Sequence, residues 1–249
     1  MAPIMSRNTQ ASELENEWTG IREEFDPQLS TQLKSVDDLL NYVQENCKAA
    51  PTSLEYINFI DSTIRKRFYH TYSHYTMNNN WLAALGGSLV WDHISAVVIP
   101  DDIMKYPYAA CSQQSIVFME CCKRLGIDYR RVGFDHHYAL ELKIDGKWYF
   151  FDTNMELKST GRTSFEQYAS TNSLYHQYQD KLNKDEFAYV FANPTFGPVN
   201  EVAASKVVVV HQATSLLSQL LFWSFILVQL VMLRMYWKQY PGNTLLAKA

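Results

Sequence analysis

The chain predicts an α+β fold with a transmembrane helix near its C-terminus, and three observations carry that expectation. Pro107-Tyr-Ala-Ala-Cys111 opens an apparent helix that Gly126 closes. Short runs of strand composition follow at 129–133, 137–144 and 147–152, the last two joined by Asp145-Gly146. Asp-Gly supplies the positive φ that a two-residue hairpin turn needs. An uncharged run of 18 residues, 216–233, then stands near the end of the chain.

Taken in order, residues 1–34 read as a polar, loosely ordered leader carrying Glu13, Glu15, Glu23, Glu24 and Asp26, without the apolar core of a secretory signal. Residues 35–205 read as one globular domain. Ser35 is a helix cap with Asp37 and Asp38 in the first turn, and Val36, Leu39, Leu40, Val43 and Cys47 follow at helical spacing. Pro51-Thr-Ser-Leu opens a second helix with Ile57, Ile60, Ile64 and Phe68 on one face. Residues 69–80, rich in Tyr, His and Asn, predict an irregular connection, and 81–98 a helix broken at Gly86-Gly87. A loop over 100–110 leads to the Cys. After the strands, 154–184 is polar and carries Tyr168, Tyr175 and Tyr178.

Composition removes several classes. A net charge of −4 with scattered Lys and Arg offers no basic block for nucleic acid. Cys47, Cys111, Cys121 and Cys122 have no metal-finger spacing, so neither a zinc site nor any other cofactor is expected. Adjacent Cys121 and Cys122 point different ways on a helix, which argues against a disulfide framework.

The C-terminal run differs from everything before it. At ~1.5 Å rise per residue, ~20 apolar residues match a hydrocarbon core of ~30 Å. Arg234, Tyr236, Trp237, Lys238 and Tyr240 follow at once, as at a membrane interface, and Pro241-Gly242 ends the helix. A transmembrane helix over 214–238 and a short tail over 239–249 are therefore expected. Val207 to Val210 reads as a last strand or an upstream extension of that helix. Ser218, Gln219, Ser224 and Gln229 predict a membrane-protein partner, a second copy included, alongside lipid. Orientation rests on two opposed arguments. The missing signal places the domain in the cytoplasm, whereas Arg234, Lys238 and Lys248 favour the opposite sense. The missing signal is given more weight.

Chemistry concentrates between Cys111 and Asp152. A thiol in the first turn of a helix meets free N–H groups and a positive dipole, which favour thiolate and leave donors for an oxyanion. The hairpin then selects a base. A two-residue loop pairs Ile144 with Lys147, which sets Ala139 opposite Asp152 and His137 opposite Asn154. Alternation along strands puts His137 and Asp152 on one face as diagonal neighbours, with His136 on the other. A three-residue loop would reverse that parity. His137 is the expected base and Asp152 its orienter, with Asn154 as competitor; Cys111, His137 and Asp152 make a catalytic triad.

These residues carry a resemblance. The Cys at a helix start, the sequence Lys-Arg-Leu-Gly-Ile-Asp-Tyr-Arg-Arg-Val-Gly that ends its helix, His137-Tyr-Ala-Leu-Glu141, Gly146-Lys-Trp148 and Asp152-Thr-Asn together resemble the transglutaminase-like superfamily of papain-like cysteine enzymes. About 45 residues match closely. The resemblance implies a papain/transglutaminase-like core, with the nucleophile helix packed on an antiparallel sheet that bears His and Asp. It also implies metal-free acyl transfer or amide hydrolysis on a peptide or amide substrate. Protein-crosslinking members carry Gly two before the Cys and an aromatic directly after it; this chain has Ala109 and Ser112. Hydrolysis is thus as well supported as transfer. Trp81, Trp91 and Gln113 are the candidates for an oxyanion-hole side chain. Two function classes follow: a membrane-anchored cysteine enzyme working through a Cys111 acyl-thioester, or a catalytically silent scaffold or binding protein of the same fold.

Overall fold

The structure is a computed structural model and describes residues 24–155, 157 and 161–239. The first 23 positions of the expected leader and residues 240–249 of the expected tail lie outside the described residues. The chain divides into two compact units, the first comprising residues up to Ser73 with Val97–Ser205, the second His74–Ala96 with the C-terminal segment from Lys206. Most of the domain expected over 35–205 falls in the first unit, and its internal segment His74–Ala96 groups with the C-terminal segment.

Unit one begins earlier than Ser35. Helix α1, Pro27–Gln32, has Pro at N1 and Asp26 as N-cap, accepting from Gln28 N and Leu29 N. It is held because Leu29 and Leu33 are buried and Arg67 Nη1 reaches Ser30 Oγ at 3.1 Å. Within the segment expected as a leader over 1–34, residues 27–32 are thus an ordered helix. Helices α2 (Val36–Asn46) and α3 (Leu54–Arg67) are capped by Ser35 and Ser53 and bury Val36, Leu39 and Val43 against Ile57, Ile60 and Ile64. After α4 (Trp81–Leu89), which lies in unit two, a short helix α5 (Pro100–Ile103) precedes the long helix α6 (Cys111–Leu125). Gly126 ends α6 at φ 71°, and Ile127 N returns to Cys122 O at 2.9 Å, a Schellman closure that needs a left-handed residue there.

Strands β1 (Asp128–Gly133), β2 (Tyr138–Ile144) and β3 (Lys147–Phe151) pair antiparallel, with Ile144 opposite Lys147 as the two-residue loop requires. Asp145 and Gly146 have φ of 50° and 77°. A two-residue strand β4, Thr195–Phe196, adds to β1 and completes the order β3-β2-β1-β4. Phe151 meets Phe118 of α6 edge-on at 5.5 Å. On the alternate positions Val132, Ala139 and Phe150 join a second core with Phe165 of α7 (Phe165–Ser170), Leu174 and Tyr178 of α8 (Leu174–Tyr178), and Phe191 just past α9 (Lys184–Val190). The polar composition of 154–184 concealed the first two of these short helices, which carry the buried anchors Phe165 and Tyr168, and Leu174 and Tyr178.

Unit two contains α4 (Trp81–Leu89), a 3₁₀ turn at Asp92–Ile94, and α10 (Ser205–Gln239). Gly86 and Gly87 lie inside α4 rather than breaking it. A Cβ on Gly87 would come within 2.5 Å of Ser95 Oγ and Cβ, so the returning chain packs on the bare backbone. Helix α10 has 35 residues, and Val207 to Val210 belongs to it, not to a strand. It is long and apolar enough to cross a membrane, and its side chains from Leu216 to Leu233 are almost all exposed within the chain.

Candidate active site

The thiol of Cys111 stands at the first residue of α6, half-buried and free of any disulfide. Its preceding residue, Ala110, has no side-chain acceptor for the first-turn N–H groups. Ser115, one turn further along α6, lies 3.4 Å from Tyr138 O and 3.3 Å from Thr153 Oγ1. The start of α6 therefore lies against the end of the β2–β3 hairpin opposite its turn.

At that end His137 immediately precedes β2 and Asp152 immediately follows β3. His137 Nε2 meets Asp152 Oδ2 at 2.8 Å, with both side chains almost wholly buried. That bond takes up Nε2 and leaves Nδ1 as the ring nitrogen open to a thiol. Burial by itself lowers the basicity of His137. The Asp152 charge and hydrogen bond, followed by those of Cys111, outweigh it and raise the imidazole to about 10. Burial pushes the Asp152 carboxyl up, but His137, the Met155 amide and Tyr178 together bring it below its ordinary value. Phe134 stacks parallel to the His137 ring and Phe191 meets it edge-on, which keeps the base dry.

Asp152 is fully committed. Oδ1 accepts from Asn154 N (3.1 Å) and Met155 N (3.0 Å), while Oδ2 also accepts from Tyr178 Oη (2.9 Å). Asn154, the competing orienter, does not meet His137; its Nδ2 lies 3.0 Å from His70 Nδ1. With the amide as donor there, His70 Nδ1 accepts and its proton sits on Nε2. Burial, then the nearby positive charge of His137, lowers His70 to about 4, so it is neutral. Tyr69 explains how His70 arrives: Tyr69 N donates to Pro107 O (3.0 Å) and Ala109 N to Tyr69 O (2.9 Å), a parallel bridge onto the segment that leads to Cys111.

His136 is exposed and stacks on Tyr189 at 3.8 Å, away from the pair. The three side chains considered for an oxyanion hole have other work. Gln113 is buried, its Oε1 accepting from Ser73 N and Ala110 N and its Nε2 donating to Ser73 O and Val97 O. Those four bonds saturate the amide. Trp81 gives its one donor to Ser218 O at 3.2 Å, and Trp91 is 62% exposed beside His93. Gln113 is a clamp: it ties together Ser73 and Val97, where the chain leaves unit one and returns to it.

His70 and Tyr178 are the neighbours that the sequence did not indicate. Tyr178 stood among several tyrosines in an aperiodic polar stretch, and His70 in a connection without strand or helix pattern. No protein-family model, curated protein or solved structure matches the chain.

Proposed function

We propose that unit one is a transglutaminase-like cysteine enzyme with a papain-like core, forming an acyl-thioester on Cys111 from an amide or peptide substrate. The observation that carries this reading is a buried, hydrogen-bonded His137–Asp152 pair whose basicity Cys111, a half-buried thiol at a helix start, helps to raise. His137 accepts the thiol proton, and Sγ attacks the substrate carbonyl carbon. The backbone N–H groups of the first turn of α6 are the donors for the developing oxyanion. As the C–N bond breaks, the imidazolium returns the proton to the leaving amine. Water, or a second amine, then attacks the thioester with His137 taking its proton. The products are an acid or a new amide and the regenerated thiol.

The second part of the proposal is that α10 anchors this enzyme in a bilayer. A helix of exposed Leu, Phe, Trp, Ile and Val with Arg234, Trp237 and Lys238 behind it suits lipid far better than water.

Alkylation kinetics test the enzyme reading. At neutral pH iodoacetamide should modify Cys111 at least about tenfold faster than Cys47, which is also half-buried and so controls for access. His137→Ala should abolish that difference. A Cys111 no faster than Cys47 leaves a catalytically silent scaffold of the same fold as the better description.

A further inference from the structure

Unit two contains an apolar surface that the enzyme reading does not use. Residues 68–91 include no Asp, Glu, Lys or Arg, although charged residues make up 19% of the chain. Within that stretch Leu85, Leu89, Val90 and Trp91 are exposed, Val90 at 78% and Leu89 at 73%. They run along α4 and the turn that follows it. Exposed apolar residues of this size, contiguous in sequence, mark an interaction surface.

Hydrogen bonds to α10 fix where this surface sits. Asn80 Nδ2 donates to His211 O (3.2 Å) and Thr214 Oγ1 (3.0 Å). Trp81 Nε1 donates to Ser218 O, and Leu82 N to Ser218 Oγ at 3.2 Å. His211 Nε2 meets Ile94 O at 2.8 Å, closing the far side of the excursion onto the same face of α10. Measured along the helix, Ser218 is about 24 Å from Arg234 at ~1.5 Å per residue. A hydrocarbon core of ~30 Å that starts at Arg234 therefore reaches about 6 Å beyond Ser218, to the level of Thr214. The first turn of α4 is thus hydrogen-bonded to α10 at a shallow acyl-chain depth.

The polar groups at that depth are paired as an apolar solvent requires. Ser218 Oγ donates to Asn80 Oδ1, Ala83 N donates to the same oxygen, and Leu82 N and the Trp81 indole are taken up by α10. Trp81 and Trp91 bracket the segment with the side chain preferred at bilayer interfaces. Nine helical residues, about 13 Å, are too short to span.

We propose that residues 81–91 are a second membrane contact, an interfacial hairpin embedded in the leaflet where α10 begins its span. The occupant of the apolar surface is lipid, because the same helix that lipid surrounds holds α4 at that depth. The inference rests on the reading of α10 as a membrane span. A hairpin and a span in one leaflet would fix the tilt of the unit that carries them, which a lone helix cannot do.

The test uses the full chain reconstituted in phosphatidylcholine vesicles with a nitroxide on the upper acyl chain of a fraction of the lipid. Cys47→Ser and Cys111→Ala remove the accessible thiols; Cys121 and Cys122 are fully buried. An environment-sensitive fluorophore is then placed singly by Val90→Cys, by Leu220→Cys on α10, and by Lys147→Cys on the β2–β3 turn, all exposed positions. Thermal melting confirms that each variant is folded. Nitroxide quenching at position 90 should lie within about twofold of that at 220, with none at 147. Quenching at 220 but not at 90 overturns the hairpin and leaves the span standing. Loss of quenching at both overturns the span and the hairpin with it. A label at 90 shielded from nitroxide and from aqueous iodide alike, with a 90–90 disulfide forming between chains, assigns the surface to a second copy and also overturns the proposal.

Discussion

Tyr178 donates its hydroxyl hydrogen to Asp152 Oδ2 at 2.9 Å, the same oxygen that meets His137 Nε2 at 2.8 Å. Oδ2 is thereby held in one place from both sides, and the carboxylate cannot swing away from the imidazole. Burial and the Asp152 charge raise the Tyr178 phenol far above its ordinary value, so it remains a donor at every working pH.

Tyr178→Phe should therefore lower kcat/KM by about 10- to 150-fold if the full ~1.5–3 kcal/mol of one hydrogen bond to a charged group is lost behind His137. The change should fall mainly on kcat, since Tyr178 is fully buried behind the pair and meets no substrate. A pH–rate profile should show the His137 limb shifted to lower pH, because an untethered carboxylate supports the imidazolium less well. An unmoved profile with a lowered Tm would make Tyr178 purely a packing residue.

Cys111→Ala and His137→Ala should each cost at least about 10³-fold in turnover, as expected of residues that act as one unit; Cys111→Ala should leave the melting temperature nearly unchanged, whereas His137→Ala should lower it by stripping the buried Asp152 of its partner. His136→Ala should change turnover less than about threefold, since its ring only stacks on Tyr189. Single-turnover assays of the three variants, or Cys111 alkylation of the two histidine variants where no substrate is in hand, make the comparison. A dead His136 variant beside an active His137 variant would overturn the assignment.

Asp152→Asn should weaken activity far more than Asn154→Ala, by about 10²-fold or more against about threefold. The carboxylate holds the ring tautomer and supports its charged form, whereas the Asn154 side chain reaches His70 instead. Asn154 still supplies its backbone N–H to Asp152 when the side chain is cut to Ala. Equal rates for Asp152→Asn and the parent chain would remove Asp152 from the proposed mechanism.

The site was legible in the sequence where short-range geometry fixed it. Asp145-Gly146 determined the loop length, loop length determined the register, and register put His137 rather than His136 beside Asp152. Helix limits at Ser35, Ser53 and Gly126 were equally local, each set by a cap. What the sequence did not disclose came from distant chain with no period of its own. Tyr178 reaches Asp152 only because α7 to α9 fold back over the sheet, and His70 reaches Asn154 only through the bridge between Tyr69 and Tyr108. The assignment of His74–Ala96 to the C-terminal helix failed to show for the same reason: Asn80 and Trp81 find their partners more than 130 residues later.

Stability should depend on pH through two histidines with opposite signs. His70 is lowered in the folded chain to about 4, so between pH 6.5 and 4 the unfolded chain binds a proton that the folded one does not. Stability should fall as pH drops through that window with a slope approaching about one proton, and His70→Gln should flatten it. His137 is raised to about 10, so its contribution is complete below pH 6.5 and is lost as pH rises from there to about 10. His137→Gln should flatten that alkaline limb. Denaturant midpoints of the three proteins across pH 4 to 10 provide the measurement, and limbs that survive both substitutions would assign the pH dependence to other groups.

Arg162 and Arg65 both reach Asp61 Oδ2, at 2.8 and 2.5 Å, in a site where Asp61 is fully buried. Arg162 also donates to Asn58 Oδ1 and lies over the Phe151 ring at 4.4 Å, which ties the chain beyond Asp152 to α3. Removing the carboxylate leaves two cations in a buried site without their shared partner. Asp61→Asn should cost about 3–5 kcal/mol, read as a lowered denaturant midpoint, and should lower activity only as far as the folded fraction falls. A melting temperature unchanged by Asp61→Asn would show that solvent already screens the three charges.

Deleting α10 tests how the two units depend on one another. A chain ending at Ser205 keeps every residue of the proposed triad, so Cys111 should remain the fast-alkylating thiol. The same cut removes the partners of Asn80, Trp81 and Leu82 and leaves the exposed Leu85, Leu89, Val90 and Trp91 with no span beside them. That truncated chain should be released from carbonate-washed membranes yet bind vesicles or self-associate. Replacing residues 75–95 with a short Gly/Ser linker, in addition, should make it monomeric, because Gln113 still clamps Ser73 to Val97 at the base of the excursion. Sedimentation of the full chain, the truncated chain and the doubly shortened chain would decide it. If the full chain sediments as a soluble protein, α10 is an ordinary packing helix, and the cut at Ser205 should then unfold the chain rather than release it.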